Sequence, residues 1–196
     1  LMKKAINISS GAMIDLQLNA GNGIADHANL RVDVRCPIPI GSLNEVSSSL
    51  VKKSKLFLSH LFGKPSLMMG TGATSAVNLD LDGDGEVDTR INLLRFYESG
   101  RKGAGLFSST HPGFSLSITM INPSSRGKIT FEDGQYVIEP GYLDEKYDNE
   151  FIEKALIFTL ELLNREQLSD FVESIYSHEE ILNDTRSFIE KNVFSG

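Results

Sequence analysis

Between Asn29 and Cys36 polar and apolar residues alternate without a slip: Leu30, Val32, Val34 and Cys36 fall on one side, Asn29, Arg31, Asp33 and Arg35 on the other. Successive side chains leave a pleated backbone on opposite faces, so this is the pattern of a half-buried strand in an antiparallel sheet. Gly113 to Ile121 repeats it, setting Phe114, Leu116, Ile118 and Met120 against Ser115, Ser117 and Thr119. Pro37 and Pro39 end the first of these strands, because neither can donate to a ladder.

Shorter strands are expected from Lys4 to Ser9, from Val87 to Phe96, and at Lys128 to Phe131 and Gln135 to Ile138, the last two joined across Glu132-Asp133-Gly134. Turn residues cluster at Ser9-Ser10-Gly11 and from Asn19 to Gly23, and 99–105 reads as a glycine-rich loop. Ser42-Leu43-Asn44-Glu45 has the spacing of a capping box. Leu43, Val46, Leu50, Leu58, Leu61 and Phe62 then predict one helix from Leu43 to Phe62, stopped by Gly63 and Pro65. The last third changes period. Asp148 is expected to cap a helix through Asn164 whose stripe is Phe151, Ile152, Ala155, Leu156, Phe158, Thr159 and Leu162. Leu168 to Tyr176 predicts a second helix, and Ser177-His178-Glu179-Glu180 a capping box opening a third, through Ile181, Thr185, Phe188, Ile189 and Val193. Strands with one intervening helix, followed by helices, predict an α+β domain: an antiparallel sheet with helices packed on one face. The 196 residues fit a single domain, 1–196.

A formal charge of −7, with no basic run longer than Lys52-Lys53, argues against nucleic acid as a partner. No run of about 18 apolar residues predicts a membrane span, and Leu1-Met2-Lys3-Lys4 does not begin a signal peptide. One cysteine, Cys36, gives no internal disulfide and favours the cytoplasm; at a strand end it is expected to be a buried small hydrophobe.

The most concentrated chemical motif is Asp80-Leu81-Asp82-Gly83-Asp84-Gly85-Glu86-Val87-Asp88. Calcium takes six to eight oxygens, and acids at alternate positions around a glycine turn can supply them. The candidate ligands are the side chains of Asp80, Asp82, Asp84 and Asp88 with the Glu86 carbonyl. Ile91 stands where a calcium loop places its bidentate acid, which removes two oxygens from the set. The alternative is an acidic, solvated turn entering a strand. Among the four histidines, His60, His111 and His178 read as exposed or loop residues, and only His27, beside Asp26, is placed for a site. Nucleophile motifs and phosphate loops are absent, and Gly21-Asn22-Gly23 lacks the third glycine of a dinucleotide fingerprint.

One stretch carries more. Ile121-Asn122-Pro123-Ser124-Ser125-Arg126-Gly127-Lys128-Ile129 resembles the N-P-x-S-R-G signature of the glucose–methanol–choline family of flavin-dependent oxidoreductases. Downstream, Ile138-Glu139-Pro140-Gly141-Tyr142-Leu143 followed by Asp148 resembles the family's I-D-P-x-Y-L … D passage. Upstream, Gly21-Asn22-Gly23-Ile24-Ala25-Asp26-His27 is similar to its V-G-x-N-L-x-D-H, with the Asn displaced. Ser9-Ser10-Gly11-Ala12 resembles its A-A-G-A strand end, and Val87-Asp88-Thr89-Arg90-Ile91-Asn92 occupies the place of its P-D-I-Q strand without the Pro. The resemblance covers nearly the whole chain in the right order.

That resemblance implies a substrate-binding domain, an antiparallel sheet backed by helices, which in the family faces an FAD-binding Rossmann-like domain of the same protein. The parent reaction oxidises a small alcohol by hydride transfer to FAD while a His base takes the hydroxyl proton. The family's G-x-G-x-x-G and its H-x-x-G-T segment with the catalytic His are absent from these residues. The start on Leu1 and the stop at Gly196 therefore read as a fragment of a choline dehydrogenase-like enzyme, expected to be inactive and flavin-free by itself. Asp26 and His27 would sit at the domain junction near the flavin. Substrate contacts are expected from the sheet's open face, at Asn92, Ser115 and Ser117, and Arg126 is expected to anchor its own turn. The alternative function is a non-enzymatic, calcium-stabilised interaction domain.

Overall fold

The computed structural model describes residues 4–7, 13–16, 21–47, 49–64, 72–98, 109–133 and 135–195. The chain begins with an antiparallel pair, β1 (Lys4–Asn7) and β2 (Met13–Leu16). It continues through β3 (Asn22–Ile24), β4 (Ala28–Arg35), α1 (Leu43–Ser47), α2 (Leu50–Leu61), β5 (Ala73–Leu79), β6 (Thr89–Leu94) and β7 (Gly113–Met120). After β8 (Gly127–Glu132) and β9 (Gln135–Glu139) come α3 (Lys146–Leu163), α4 (Glu166–Ser169), β10 (Ser174–Ile175), α5 (His178–Asn183), α6 (Thr185–Asn192) and β11 (Phe194–Ser195).

The main sheet is antiparallel in the order β10-β4-β7-β6-β5, with β11 also paired to β4. Its register follows the two alternating segments. Leu30 lies opposite Ile118, Val32 opposite Leu116 and Val34 opposite Phe114, so both apolar sets share one face. A slip of one residue would turn every one of these side chains to the other face. Helix α3 covers this face with Phe151, Ile152, Ala155 and Leu156, and α6 adds Phe188 and Ile189. Leu30, Val34, Ile118, Ile152 and Leu156 are wholly inaccessible. The expected architecture, an antiparallel sheet with helices on one face, is therefore the observed one. A second sheet, β3-β8-β9, stands beside it.

Several local expectations are corrected. The single helix from Leu43 to Phe62 is two helices. The Ser42–Glu45 box forms, with the Ser42 N–H donating to Glu45 Oε2 at 2.8 Å and the Glu45 N–H to Ser42 Oγ at 3.4 Å. Ser49, in an extended conformation, then offers a second cap, accepting from the Lys52 N–H at 3.4 Å, and α2 starts afresh. Its apolar stripe gains no partner among the described residues: Leu50, Leu58, Leu61 and Phe62 are all exposed. Asp148 lies within the first turn of α3 rather than before it. Instead of a helix to Tyr176 the chain makes only α4, and β10 then completes the edge of β4, whose ladder groups would otherwise be unpaired. Ser177 takes a left-handed conformation and caps nothing, while Asp184 breaks the predicted last helix into α5 and α6 and caps α6 through the Ser187 N–H at 2.9 Å. Strand β5 was not expected, because an exposed edge strand needs no alternation to pair. The Ser9-Ser10-Gly11-Ala12 turn, Pro65 and the 99–105 loop lie outside the described residues.

Candidate functional site

The face of the sheet turned away from α3 is polar because it carries the other half of each alternation. Register places Asn29, Thr119 and Arg90 in one row across the strands, then Arg31, Ser117 and Asn92, then Asp33, Ser115 and Leu94. Arg31 is packed between two rings, its guanidinium carbon 5.7 Å from the centre of Phe96 and 5.5 Å from that of Phe194, and it reaches Glu98 at 3.8 Å. Arg90 Nε donates to Asn78 Oδ1 at 2.9 Å.

Asn92 and Ser117 are cross-strand neighbours on this face, and neither side chain has a hydrogen-bond partner among the described residues; Asn92 is half-buried, but Ser117 is only 8% exposed, so the expectation that it lies on an open surface is corrected. Ser115 differs. It is fully buried, and its hydroxyl is committed to the Asp33 carboxylate and to the Phe96 carbonyl at 2.8 Å. The expectation that Ser115 lies on an open surface is corrected: the 95–98 segment crosses over it. Burial lifts the Asp33 carboxyl from 3.8 to about 6, against the Ser115 hydrogen bond and the Arg31 charge, which both lower it. Arg31 and Asp33 are the residues of this face that the sequence reading passed over as site candidates. The signal was present in the polar half of the Asn29–Arg35 alternation.

Asp26 and His27 lie in the connection between β3 and β4. The Asp26 carboxylate accepts from the Tyr142 hydroxyl and from the His27 N–H at 2.9 Å, and His27 Nδ1 lies 2.8 Å from the Met120 carbonyl. The pair ties the entry of β4 to the end of β7 and to the segment before α3. Nearby, the Asp148 carboxylate accepts from the Ser124 and Ser125 N–H groups at 2.8 and 2.7 Å, and the Glu145 N–H donates to Ser125 Oγ at 3.0 Å. Arg126 donates to the Pro123 and Ser125 carbonyls, holding its own turn. Gly127 is required there, since a Cβ would stand 2.5 Å from the Glu139 and Pro140 carbonyl oxygens. The Asn-Pro-Ser-Ser-Arg-Gly stretch thus fastens the sheet to α3. Gly21-Asn22-Gly23 opens a strand, not a helix, so this turn does not present a helix N-terminus of the kind that cradles a dinucleotide pyrophosphate.

In the acidic loop, Asp80, Asp82 and Asp88 bring carboxylate oxygens within 4.8 Å of one another. Asp84 stays outside this group and accepts from the Glu86 N–H at 2.8 Å. Asp80 accepts from Gly85 at 2.9 Å and Gly83 at 2.6 Å, which lowers its pKa, whereas partial desolvation and the neighbouring carboxylates raise that of Asp88. Cys36 is fully buried, and burial pushes its thiol up to about 11, with the charges of Glu45 and Glu173 adding to the shift. It is a packing residue.

No family model matches the chain, and no curated protein matches it in sequence. Solved structures match its fold. Pyridoxine 4-oxidase from Mesorbium loti aligns at 18% identity and a TM-score of 0.63, over 89% of this chain and 31% of that one. A formate oxidase aligns at 12% identity and a TM-score of 0.73, over 87% of this chain and 35% of that one. A variant of Aspergillus oryzae RIB40 formate oxidase, studied for FAD modification, aligns at 12% identity and 0.76, over 90% and 36%. The chain spans about a third of the length of these proteins. The fold is that of a domain found in flavoprotein oxidases. These neighbours are glucose–methanol–choline oxidoreductases, the family whose motifs the sequence resembles. No described helix is long and apolar enough to cross a membrane.

Proposed function

We propose that this chain is the substrate-binding domain of a glucose–methanol–choline-type flavoenzyme that oxidises a CH–OH group of a small alcohol, in the manner of a choline dehydrogenase. The observation that carries this reading is the uncommitted Asn92–Ser117 pair on the polar sheet face, in a fold shared with oxidases of that family. A bound flavin accepts hydride; in this reading it belongs to the FAD-binding domain of the same protein. The residues of this chain orient the alcohol. Asn92 and Ser117 offer donors and acceptors to the substrate hydroxyl and its neighbours, and Arg31, held between Phe96 and Phe194, sets the charge of the face. Asp26 and His27 keep the β3–β4 connection in place at the junction.

In the full-length protein, Asn92→Ala should raise KM for its alcohol about fivefold, the loss of one ordinary hydrogen bond, with flavin content unchanged. An unchanged KM in both Asn92→Ala and Ser117→Ala would remove the substrate role of this face. A smaller, separate reading is that calcium steadies the Asp80 loop, favoured by the three converging carboxylates. Millimolar calcium should then raise the melting temperature relative to chelator, and no shift would remove it.

A further inference from the structure

We infer that the opposite, apolar face of the sheet holds a second binding site, for a small aliphatic carboxylic acid. Helices α3 and α6 pack over β7 and β4, and toward the β5–β6 end only the end of α3 and the α4 turn reach across the sheet. A cavity of about 480 Å³ opens there. That is within the range of about 300–1,000 Å³ that small-molecule sites occupy. Its floor is Ile91, Leu93 and Leu116, and its roof is Leu162, Leu168 and Phe171, from the end of α3 and the α4 turn.

One charged side chain lines it, Arg95. On β6, Ile91 and Leu93 point to this side, and Arg95 lies in the bend just past the strand, at the edge of the cavity. Its Nη2 donates to the Ile40 carbonyl at 2.8 Å and to the Gly41 carbonyl at 3.0 Å. Gly41 permits that approach: its φ is +69°, and a Cβ would stand 2.9 Å from Nη2. A guanidinium has five N–H donors. Among the described residues, Arg95 has no other acceptor and no carboxylate within ion-pair distance. The cation is therefore fixed in position, with donors still available at the rim of an apolar space.

The occupant follows from that pairing. A neutral apolar molecule would fill the space and leave the charge unanswered. A protein segment would bring backbone N–H and C=O groups against a floor that cannot bond them. An aliphatic chain with one carboxylate fills the cavity with methylenes and presents its head to the guanidinium, which suits a carboxylate fork. This site lies on the face away from Asn92 and Ser117, so it does not depend on the flavoenzyme reading.

The test is calorimetric titration of the full-length protein with decanoate and with its methyl ester. Decanoate should bind once per chain and at least about tenfold more tightly than the ester. Arg95→Gln should bring the acid down to the affinity of the ester, and Arg95→Lys should restore part of the difference. Ser75→Phe, at an exposed edge-strand position that lines the cavity, should abolish binding of both without touching the core. Absence of saturable binding, equal affinity for acid and ester, or binding indifferent to Ser75→Phe would each overturn the inference. A cavity already filled by another part of the full-length protein would show itself as the first of these.

Discussion

Helices α2 and α3 carry the same kind of apolar stripe and end up in opposite surroundings. In α3, Phe151, Ile152, Ala155, Leu156 and Leu163 are buried against β4 and β7, whereas α2 has no buried residue at all. The difference lies in what anchors each helix start. Helix α3 is fastened from outside itself, by Asp148 reaching the Ser124 and Ser125 N–H groups and by Ser125 taking the Glu145 N–H. Helix α2 is capped only locally by Ser49. A stripe fixes which side of a helix seeks a partner; a long-range anchor decides whether it meets one.

The largest effect that could break this contrast comes from the two stripes themselves. Leu156→Ala should cost about 2–5 kcal/mol in urea unfolding, through lost transfer energy and the cavity left behind. Leu58→Ala on α2 should stay within about 0.5 kcal/mol. Equal costs would mean that α2 is packed in solution. Next comes the anchor. Asp148→Ala leaves the buried Ser125 N–H without an acceptor and should cost about 2 kcal/mol by the same measurement.

The polar face supplies a test through pH. The Asp33 carboxyl holds its proton more tightly when folded, at about 6 against 3.8, so its contribution is complete below about pH 4 and is lost as pH rises through about 6. Asp33→Asn should therefore gain up to about 3 kcal/mol over the natural chain at pH 8, and its stability profile between pH 4 and 6 should lose that step. A variant no more stable at pH 8 would show that the carboxylate is solvated in place. The smallest effects separate the two caps. Asp184→Ala, at the start of α6, should lower global stability by about 1 kcal/mol. Ser49→Ala should lower helical content and leave the global unfolding midpoint where it was.

The sheet was legible in the sequence because β4 and β7 alternate without error, and the register that buries Leu30 on Ile118 follows from that alternation. Helix α3 was legible from its stripe. Missed were the elements set by partners far along the chain. The predicted Leu168–Tyr176 helix stops after α4 and its end pairs with β4, and β5 pairs with β6 through a run of small residues that carries no period. At the candidate site, alternation put Ser115 and Ser117 on the polar face, and Asn92, named from the family resemblance, pairs with Ser117 there. It could not foresee that the 95–98 segment would cover Ser115, because that coverage depends on a chain crossing. Arg95 was silent for the same reason: only the folded chain brings it over the Ile40–Gly41 turn and onto an apolar cavity.

We propose, as above, that these residues form the substrate side of a flavoenzyme whose flavin is held elsewhere in the same protein. The most direct test is the absorbance spectrum of the full-length protein and of this chain after gel filtration, followed by anaerobic addition of small alcohols. The account predicts a flavin band in the full-length protein that a productive alcohol bleaches, and no flavin with this chain alone. A full-length protein without flavin, or a flavin band that survives on this chain by itself, would contradict it.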